Sequence, residues 1–185
     1  MRRDSYKTRK AWDEPAHAHF LTYSCYRRLP LLTKDRTRQW VVDALDSTRS
    51  EQQFELWAYV IMPEHVHLVL HPRQPRYQMR RILAAIKRPV SILARDFLTT
   101  RGQTTWLHRL SVQYPSRSVF RFWQPGGGYD NNIFRERTLA EVIDYIHANP
   151  VRRGLAQHPG DWIWSSARFY DGIKDVPIKM DPIEI

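Results

Sequence analysis

The stretch Phe54-Glu55-Leu56-Trp57-Ala58-Tyr59-Val60-Ile61-Met62-Pro63-Glu64-His65-Val66-His67-Leu68-Val69-Leu70-His71 reads as two β-strands with a break between them. Residues 54 to 62 form a β-rich apolar run, which Pro63-Glu64 interrupts. From His65 onward, Val66, Leu68 and Leu70 alternate with His65, His67, Val69 and His71, as the period of a strand requires. An antiparallel pair with a tight connection follows. Side chains two apart on a strand share one face at about 6.5 Å along the chain. His65 and His67 therefore aim both imidazoles to one side while Val66 faces the core.

Outward from this pair, residues 18 to 26 are rich in Phe, Thr and Tyr and predict a strand that ends at Arg27-Arg28-Leu29-Pro30. Thr33 is placed to cap a helix over residues 34 to 50, with Trp40, Val41, Ala44 and Leu45 as its apolar stripe. From about Tyr77 to Leu98 the pattern is helical and basic, with Arg80, Arg81, Lys87, Arg88 and Arg95, and Pro89 is expected to kink or divide it. Residues 99 to 135, punctuated by Gly102, Pro115, Pro125 and Gly126-Gly127-Gly128, read as a long irregular connection of the kind that is often functional or mobile. Thr138 and Glu141 form a capping-box pattern that starts a helix carrying Val142, Tyr145 and Ile146 and stopping before Pro150. The proline-punctuated end, residues 173 to 185, predicts an extended tail, and residues 1 to 14 a basic arm.

With 185 residues, 42% hydrophobic and 12% aromatic, the chain has the material for one packed domain and does not read as disordered. No stretch approaches the roughly 18 uninterrupted apolar residues of a membrane span, so a soluble protein with no membrane partner is expected. Met1-Arg2-Arg3 is basic, but Trp12-Asp13-Glu14-Pro15 stands where a signal peptide needs an apolar run. A lone cysteine, Cys25, excludes an internal disulfide, suits a reducing cytoplasm and is expected in packing. The formal charge of +10 favours a polyanionic partner without separating DNA from RNA or an acidic membrane.

His-x-His is common by chance, and His17-Ala18-His19 repeats it with no other motif beside it, so that second pair reads as a surface or core-edge feature. His71 extends the face of the first pair, but Pro72 suggests the exit of the strand. Two histidines hold a divalent ion poorly, and a third ligand should come from another element. The predicted helix from Thr138 offers one: Tyr145 and Asn149 are four apart, one turn and about 6 Å along a helix face. Asn149 can then donate its amide oxygen while Tyr145 stands beside the ion. Glu141 is either the capping partner of Thr138 or an accessory acid, and a helix tyrosine taken alone is by default a core residue. Gly126-Gly127-Gly128 lacks the Gly-Lys-Ser/Thr ending of a nucleotide cradle and reads as a flexible turn.

Met62-Pro63-Glu64-His65-Val66-His67-Leu68, together with Asp144-Tyr145-Ile146-His147-Ala148-Asn149-Pro150-Val151, resembles the REP-associated tyrosine transposases, members of the His-hydrophobe-His nuclease superfamily. Further matching segments are residues 25 to 32, Lys87-Arg88-Pro89, residues 122 to 130, and Asp161-Trp162 through Ala167. The resemblance covers roughly residues 15 to 172, taken here as the transposase domain. It implies a ferredoxin-like α+β fold with the catalytic tyrosine on a helix beside the sheet. It also implies Mg²⁺ or Mn²⁺ at His65, His67 and Asn149, with Tyr145 as nucleophile. In related insertion-sequence transposases the third ligand is often Gln; Asn149 is one methylene shorter. The implied activity is nicking and rejoining of single-stranded DNA, with palindromic REP-like hairpins as substrate and a 5′-phosphotyrosine intermediate. A cytoplasmic, nucleoid-associated monomer is expected.

For DNA contacts the sequence offers Arg152 and Arg153 directly after the tyrosine helix, and Lys87 and Arg88 on the basic helix, as phosphate-binding residues. Trp123, Tyr129, Trp162 and Trp164 are offered as stacking platforms, with burial expected for at least two of the tryptophans. Two other readings stand beside the enzyme: a non-catalytic, domesticated single-stranded DNA-binding protein of the same fold, and a zinc hydrolase, which lacks a His-Glu-x-x-His motif.

Overall fold

The alternation around the histidine pair produces the central hairpin of the fold, Phe54–Ile61 (β2) and His65–Pro72 (β3). In the computed structural model, which describes residues 12–173 and 175–183, β3 also pairs antiparallel with Ala18–Ser24 (β1), whose other side pairs with Tyr129–Ile133 (β6). The strand order is β2-β3-β1-β6. Asp35–Glu51 (α1) connects β1 to β2, and Met79–Thr100 (α2) follows β3. This β-α-β-β-α-β order with its antiparallel sheet is the ferredoxin-like arrangement.

Both faces of the sheet are covered. Leu21, Tyr23, Val66, Leu68 and Leu70 pack with Val41, Leu45, Ile82 and Ile86 of α1 and α2. On the opposite face, Phe20, Val60 and Val69 pack with Leu139, Ile143 and Ile146 of Glu136–His147 (α4). The strands thus read as apolar runs with little polar alternation, as strands buried on both faces do. In β2 the alternation also changes phase: the register shifts between Leu56 and Ala58. This bulge sends Leu56 and Tyr59 to the first core and Trp57 and Ala58 to the second.

Several expectations are corrected. Residues 99 to 135 are not an irregular connection: they contain Thr104–Arg109 (α3), the hairpin Ser111–Tyr114 (β4) with Arg117–Phe120 (β5), and the edge strand β6. Two polar Asn residues and an Asp in β6 hide it from a search for β-rich runs. Thr33 does not cap α1; its hydroxyl donates to the Pro30 carbonyl at 2.7 Å and Lys34 holds the cap position. The Thr138 capping box does not form either, because α4 starts at Glu136, two residues earlier, and Glu141 pairs instead with Arg137 at 3.0 Å. Pro89 stands inside an undivided α2. Beside it the Lys87 carbonyl accepts from both Ser91 Oγ and Trp123 Nε1, tying this part of the helix to the segment after β5. β1 ends at Ser24, and a 3-10 turn at Tyr26–Arg28 follows.

Of the basic arm, residues 1–11 lie outside the described residues, while Trp12 to Glu14 are fastened to the domain. Trp12 exchanges hydrogen bonds with Asn132, and Asp13 accepts from the Met79 amide. Among the described residues of the C-terminal segment no helix or strand forms, but the segment is packed: Ile178 and Met180 lie in the first core. Asp181 closes the free edge of β2, accepting from the Leu56 amide at 2.9 Å and pairing with Arg49 and Arg73, while its own amide donates to the Leu56 carbonyl. Farther along, the Ile61 amide donates to the Trp164 carbonyl. An edge strand covered in this way offers no template for pairing with another chain. Among the described residues no helix is long and apolar enough to cross a membrane. We expect Asp181→Ala to lower the unfolding free energy by about 1–3 kcal/mol, since it orphans the Leu56 backbone donor at the strand edge, while Arg49 and Arg73 keep Asp46 and Glu55; urea denaturation followed by tryptophan fluorescence measures it.

Candidate active site

The pairing of β1 with β3 sets Thr22 opposite His67 and Ser24 opposite His65. His65 and His67 are both buried, with their Nε2 atoms 3.0 Å apart. Each Nδ1 has its own partner: Glu64 Oε1 at 3.1 Å from His65, and Thr22 Oγ1 at 2.8 Å from His67. Arg153 donates to the same Glu64 oxygen at 2.7 Å. Burial alone would raise the Glu64 carboxyl, but the Arg153 and His65 interactions outweigh it and hold its pKa below the usual value. The carboxylate is therefore ionised at neutral pH and can only accept. This fixes the proton of His65 on Nδ1 and leaves its Nε2 as a lone pair.

Thr22 is more permissive, because a hydroxyl either donates or accepts. When it donates to His67 Nδ1, His67 Nε2–H donates to His65 Nε2. When it accepts from Nδ1–H, both Nε2 lone pairs face one another and call for a cation between them. Burial, reinforced by the charge of His65, lowers the His67 pKa to about 3, and burial lowers that of His65 as well. Both rings are neutral at pH 7, the state in which imidazole binds metal. Two ligands in adjacent positions of an octahedral ion with bonds of about 2.1 Å stand about 3.0 Å apart, so the pair fits a divalent cation in that geometry. The Glu64 and Thr22 contacts hold the two rings in orientation by their Nδ1 atoms and leave the Nε2 atoms facing each other.

Among the described residues no group of three His, Cys, Asp or Glu side chains gathers for a metal. A third donor would then be of another kind, and Asn149 lies four residues beyond Tyr145. Its Nδ2 donates to the Tyr145 carbonyl at 2.8 Å. A carbonyl can only accept, so this contact assigns the amide nitrogen and leaves Oδ1 as the lone-pair atom of the side chain. Asn149 opens the short helix Asn149–Arg152 (α5), and Pro150 near its start explains why α4 ends where it does.

Tyr145, 43% exposed, sits near the end of α4 with its ring 6.0 Å from that of His67 and 6.1 Å from that of Phe20. The Arg152 guanidinium lies 5.2 Å from the centre of the tyrosine ring. The phenol is thus held beside the imidazole pair, accessible, with a cation next to it. Tyr129 continues the surface, half-exposed, its ring 5.5 Å from Phe20. Gly128, at φ +82°, presses its backbone on Thr22: a Cβ there would come within 2.2 Å of the Thr22 carbonyl oxygen. The glycine turn near the site is a packing requirement for the residue that serves His67.

Other proposed contacts fall differently. Arg153 is engaged with Glu64, which makes it a support of His65 in addition to any phosphate contact. Lys87 donates to the Gly126 carbonyl at 3.1 Å, and Arg88 is exposed on α2. Trp123 is a correction: at 6% exposure, packed on Tyr23 and Phe122, it has no free face for a base. Trp164 is buried likewise, and Trp162 donates to the Ile61 carbonyl. His19 is fully buried between Asp130 and the Tyr77 hydroxyl, both at 2.7 Å, so the look-alike pair serves the core edge. His71 stacks on Trp57 at 4.8 Å, away from the pair. Thr22, Phe20 and Glu64 were missed in the sequence; only Glu64, adjacent to His65, carried a local signal.

A family model for IS200-like transposases matches residues 14–149. The chain belongs to that family. Its enzyme class is accordingly that of a tyrosine transposase. A Haemophilus influenzae protein described as a REP-associated tyrosine transposase is 26% identical over 151 residues, 74% of this chain and 76% of that protein. The fold is shared with a solved REP-associated tyrosine transposase bound to a REP hairpin, at a TM-score of 0.64 and 20% identity, covering 97% of this chain and 94% of that one.

Two predictions follow from this geometry. Gly128→Ala should destabilise the fold or displace Thr22, visible as a lowered melting temperature and altered His67 imidazole NMR signals. Stability should also be acid-sensitive. His147, buried and bonded to Ser166 Oγ at 2.8 Å, has its pKa lowered by burial to about 4, and His67 lies near 3. Unfolded histidine titrates near 6.5. The unfolded chain therefore takes up more protons below pH 6.5, and stability is lost as pH falls from about 6.5 towards 4. Urea midpoints at pH 7, 5.5 and 4.5 in chelator should decline in that order, and His147→Gln should flatten the decline.

Proposed function

We propose that this transposase nicks and rejoins single-stranded DNA at REP-like hairpins, with Tyr145 as nucleophile and Mg²⁺ or Mn²⁺ held by His65, His67 and Asn149. The observation that carries the reading is the placement of an exposed phenol 6.0 Å, ring to ring, from an imidazole whose Nε2 faces a second imidazole. The two imidazole nitrogens and an amide oxygen make a donor set compatible with such a cation. When bound, the cation supplies charge to a non-bridging phosphate oxygen.

The chain supplies the rest. Tyr145 is poorly nucleophilic as a phenol of pKa about 10, so its proton must leave as the bond to phosphorus forms. The Tyr145 oxygen bonds to phosphorus, the bond to the 3′-oxygen breaks, and that oxygen takes up a proton to become a 3′-hydroxyl. The product is a 5′-phosphotyrosine. It keeps the phosphodiester bond type, so attack by a second 3′-hydroxyl reverses the step and joins strands without a nucleotide cofactor. Arg152, over the tyrosine ring, is placed to bind the phosphate that becomes attached there. Tyr129 offers a stacking face to an unpaired base beside it, and Arg153 aids the reaction by holding Glu64 on His65. Such a substrate places the protein in the cytoplasm with the nucleoid.

The test is incubation with labelled hairpin oligonucleotides drawn from palindromes flanking the gene, in Mn²⁺ or chelator, followed by denaturing electrophoresis. A protein–DNA adduct that needs the metal and vanishes in Tyr145→Phe is expected. DNA binding by the unmodified protein with no adduct in any divalent metal would instead identify the non-catalytic DNA-binding reading.

A further inference from the structure

On the sheet face that carries α1 and α2, opposite the face that carries α4, a cleft of about 270 Å³ opens between the start of α1 and the second half of α2. Its walls are mostly apolar, with Leu31, Trp40, Phe97, Leu98 and Leu110, and Trp106 of α3 stands at its end. Trp40, Phe97, Leu98 and Trp106 are half-buried, so part of their apolar surface faces water.

The border of the cleft is cationic. Lys34 and Arg36 line it, and no carboxylate does. The Arg36 guanidinium lies 3.8 Å from the centre of the Phe97 ring, that of Arg101 5.8 Å from the same ring, and that of Arg109 5.0 Å from the Trp106 ring. Among the described residues none of these four cations is in an ion pair. Asp35, between the first two in sequence, is taken by Arg38 at 3.0 Å and by the Trp164 indole at 3.2 Å. The cations come from α1, the end of α2 and α3, too spread for one carboxylate to engage. Several carboxylates along a chain can.

The cleft suits an apolar side chain better than a nucleic-acid base. A base needs a free ring face and partners for its polar edge. Here guanidinium groups stand over the Phe97 and Trp106 rings, and Trp40 meets Phe97 edge-on at 6.0 Å. The hydroxyls of Thr33 and Thr37, both in the lining, are spent at 2.7 Å on the carbonyls of Pro30 and Lys34. A leucine or phenylalanine side chain has no polar edge to satisfy and gains from leaving water.

We propose that this cleft is a docking site for an acidic peptide segment of a partner protein, which inserts a large apolar side chain between α1 and α2 while flanking carboxylates engage Lys34, Arg36, Arg101 and Arg109. Arg-rich borders around an apolar anchor pocket are a recurring way to capture such segments. The sheet separates the site from the Tyr145 surface, so a partner held there leaves that surface open.

The experiment uses the full chain at low salt and two labelled peptides of aspartate and glutamate, one with a central Leu-Phe pair and one with serines in its place. By fluorescence anisotropy the Leu-Phe peptide should bind at least tenfold more tightly. Lys34→Glu/Arg36→Glu should weaken that binding tenfold or more, and Lys34→Arg/Arg36→Lys, which keeps both charges, should retain it and so exclude misfolding as the cause. In NMR spectra the indole N–H signals of Trp40 and Trp106 should move with added peptide while that of Trp57, in the opposite core, stays. No binding at millimolar peptide, equal affinity for both peptides, or an unaffected charge-reversal variant would overturn the proposal. So would a single-stranded oligonucleotide that displaces the peptide and moves the same two indole signals, which would make the cleft a nucleic-acid site. None of these readouts involves Tyr145 or DNA cleavage, so the catalytic reading stands or falls separately.

Discussion

The antiparallel pairing of β1 with β3 is the constraint on which the molecule depends. It sets Thr22 against His67 and Ser24 against His65, and the same ladder aligns Leu21 with Leu68 and Phe20 with Val69, one pair in each core. Because strand side chains alternate, a slip of one residue would turn both imidazoles into the α1–α2 core and bring Val66 and Leu68 to the tyrosine side. Burial on both faces makes such a slip very costly. The histidine geometry is thus enforced by some of the most strongly buried hydrogen bonds and apolar contacts in the protein.

Upon that frame the site is assembled from separate parts of the chain. β3 brings the imidazoles, β1 brings Thr22, and α4 with α5 brings Tyr145 and Arg152. The Arg153–Glu64 ion pair links the last of these to the first, since Glu64 is also the acceptor for His65. Its partners are largely screened from solvent on the carboxylate side, where an unpaired charge would be costly. One interaction therefore fixes the tautomer of a histidine and ties the tyrosine-bearing segment to the sheet.

Much of this is legible in the sequence. The spacing of His65 and His67 placed them on one face, and the helix containing Tyr145 was visible from its apolar stripe. The missing parts share a physical cause. Thr22 lies 45 residues before His67, and nothing local marks which threonine a histidine will face until strand register is known. β6 was invisible because its Asp and two Asn residues are poor strand formers, held there by the edge of β1. Thr33 and Thr138 satisfy a sound local rule, but α1 starts at Asp35 and α4 at Glu136, so neither threonine stands at the residue before its helix and neither caps it. Trp123 illustrates the limit of composition: a single-stranded substrate calls for stacking platforms, whereas this large apolar ring is buried, where it gains more.

The bulge at Trp57 has a consequence for how this gene can vary. With one extra residue in β2, the stretch before it and the stretch after it obey opposite parities, and both cores are correctly filled only because of that offset. Conservative exchanges of apolar residues on either side leave the offset intact and are absorbed by repacking. Loss of a single codon there would put every later side chain of β2 on the wrong side of the sheet, or else shift Met62-Pro63-Glu64 relative to β3 and with it the acceptor of His65. The segment should therefore drift in identity over evolutionary time while its length stays fixed.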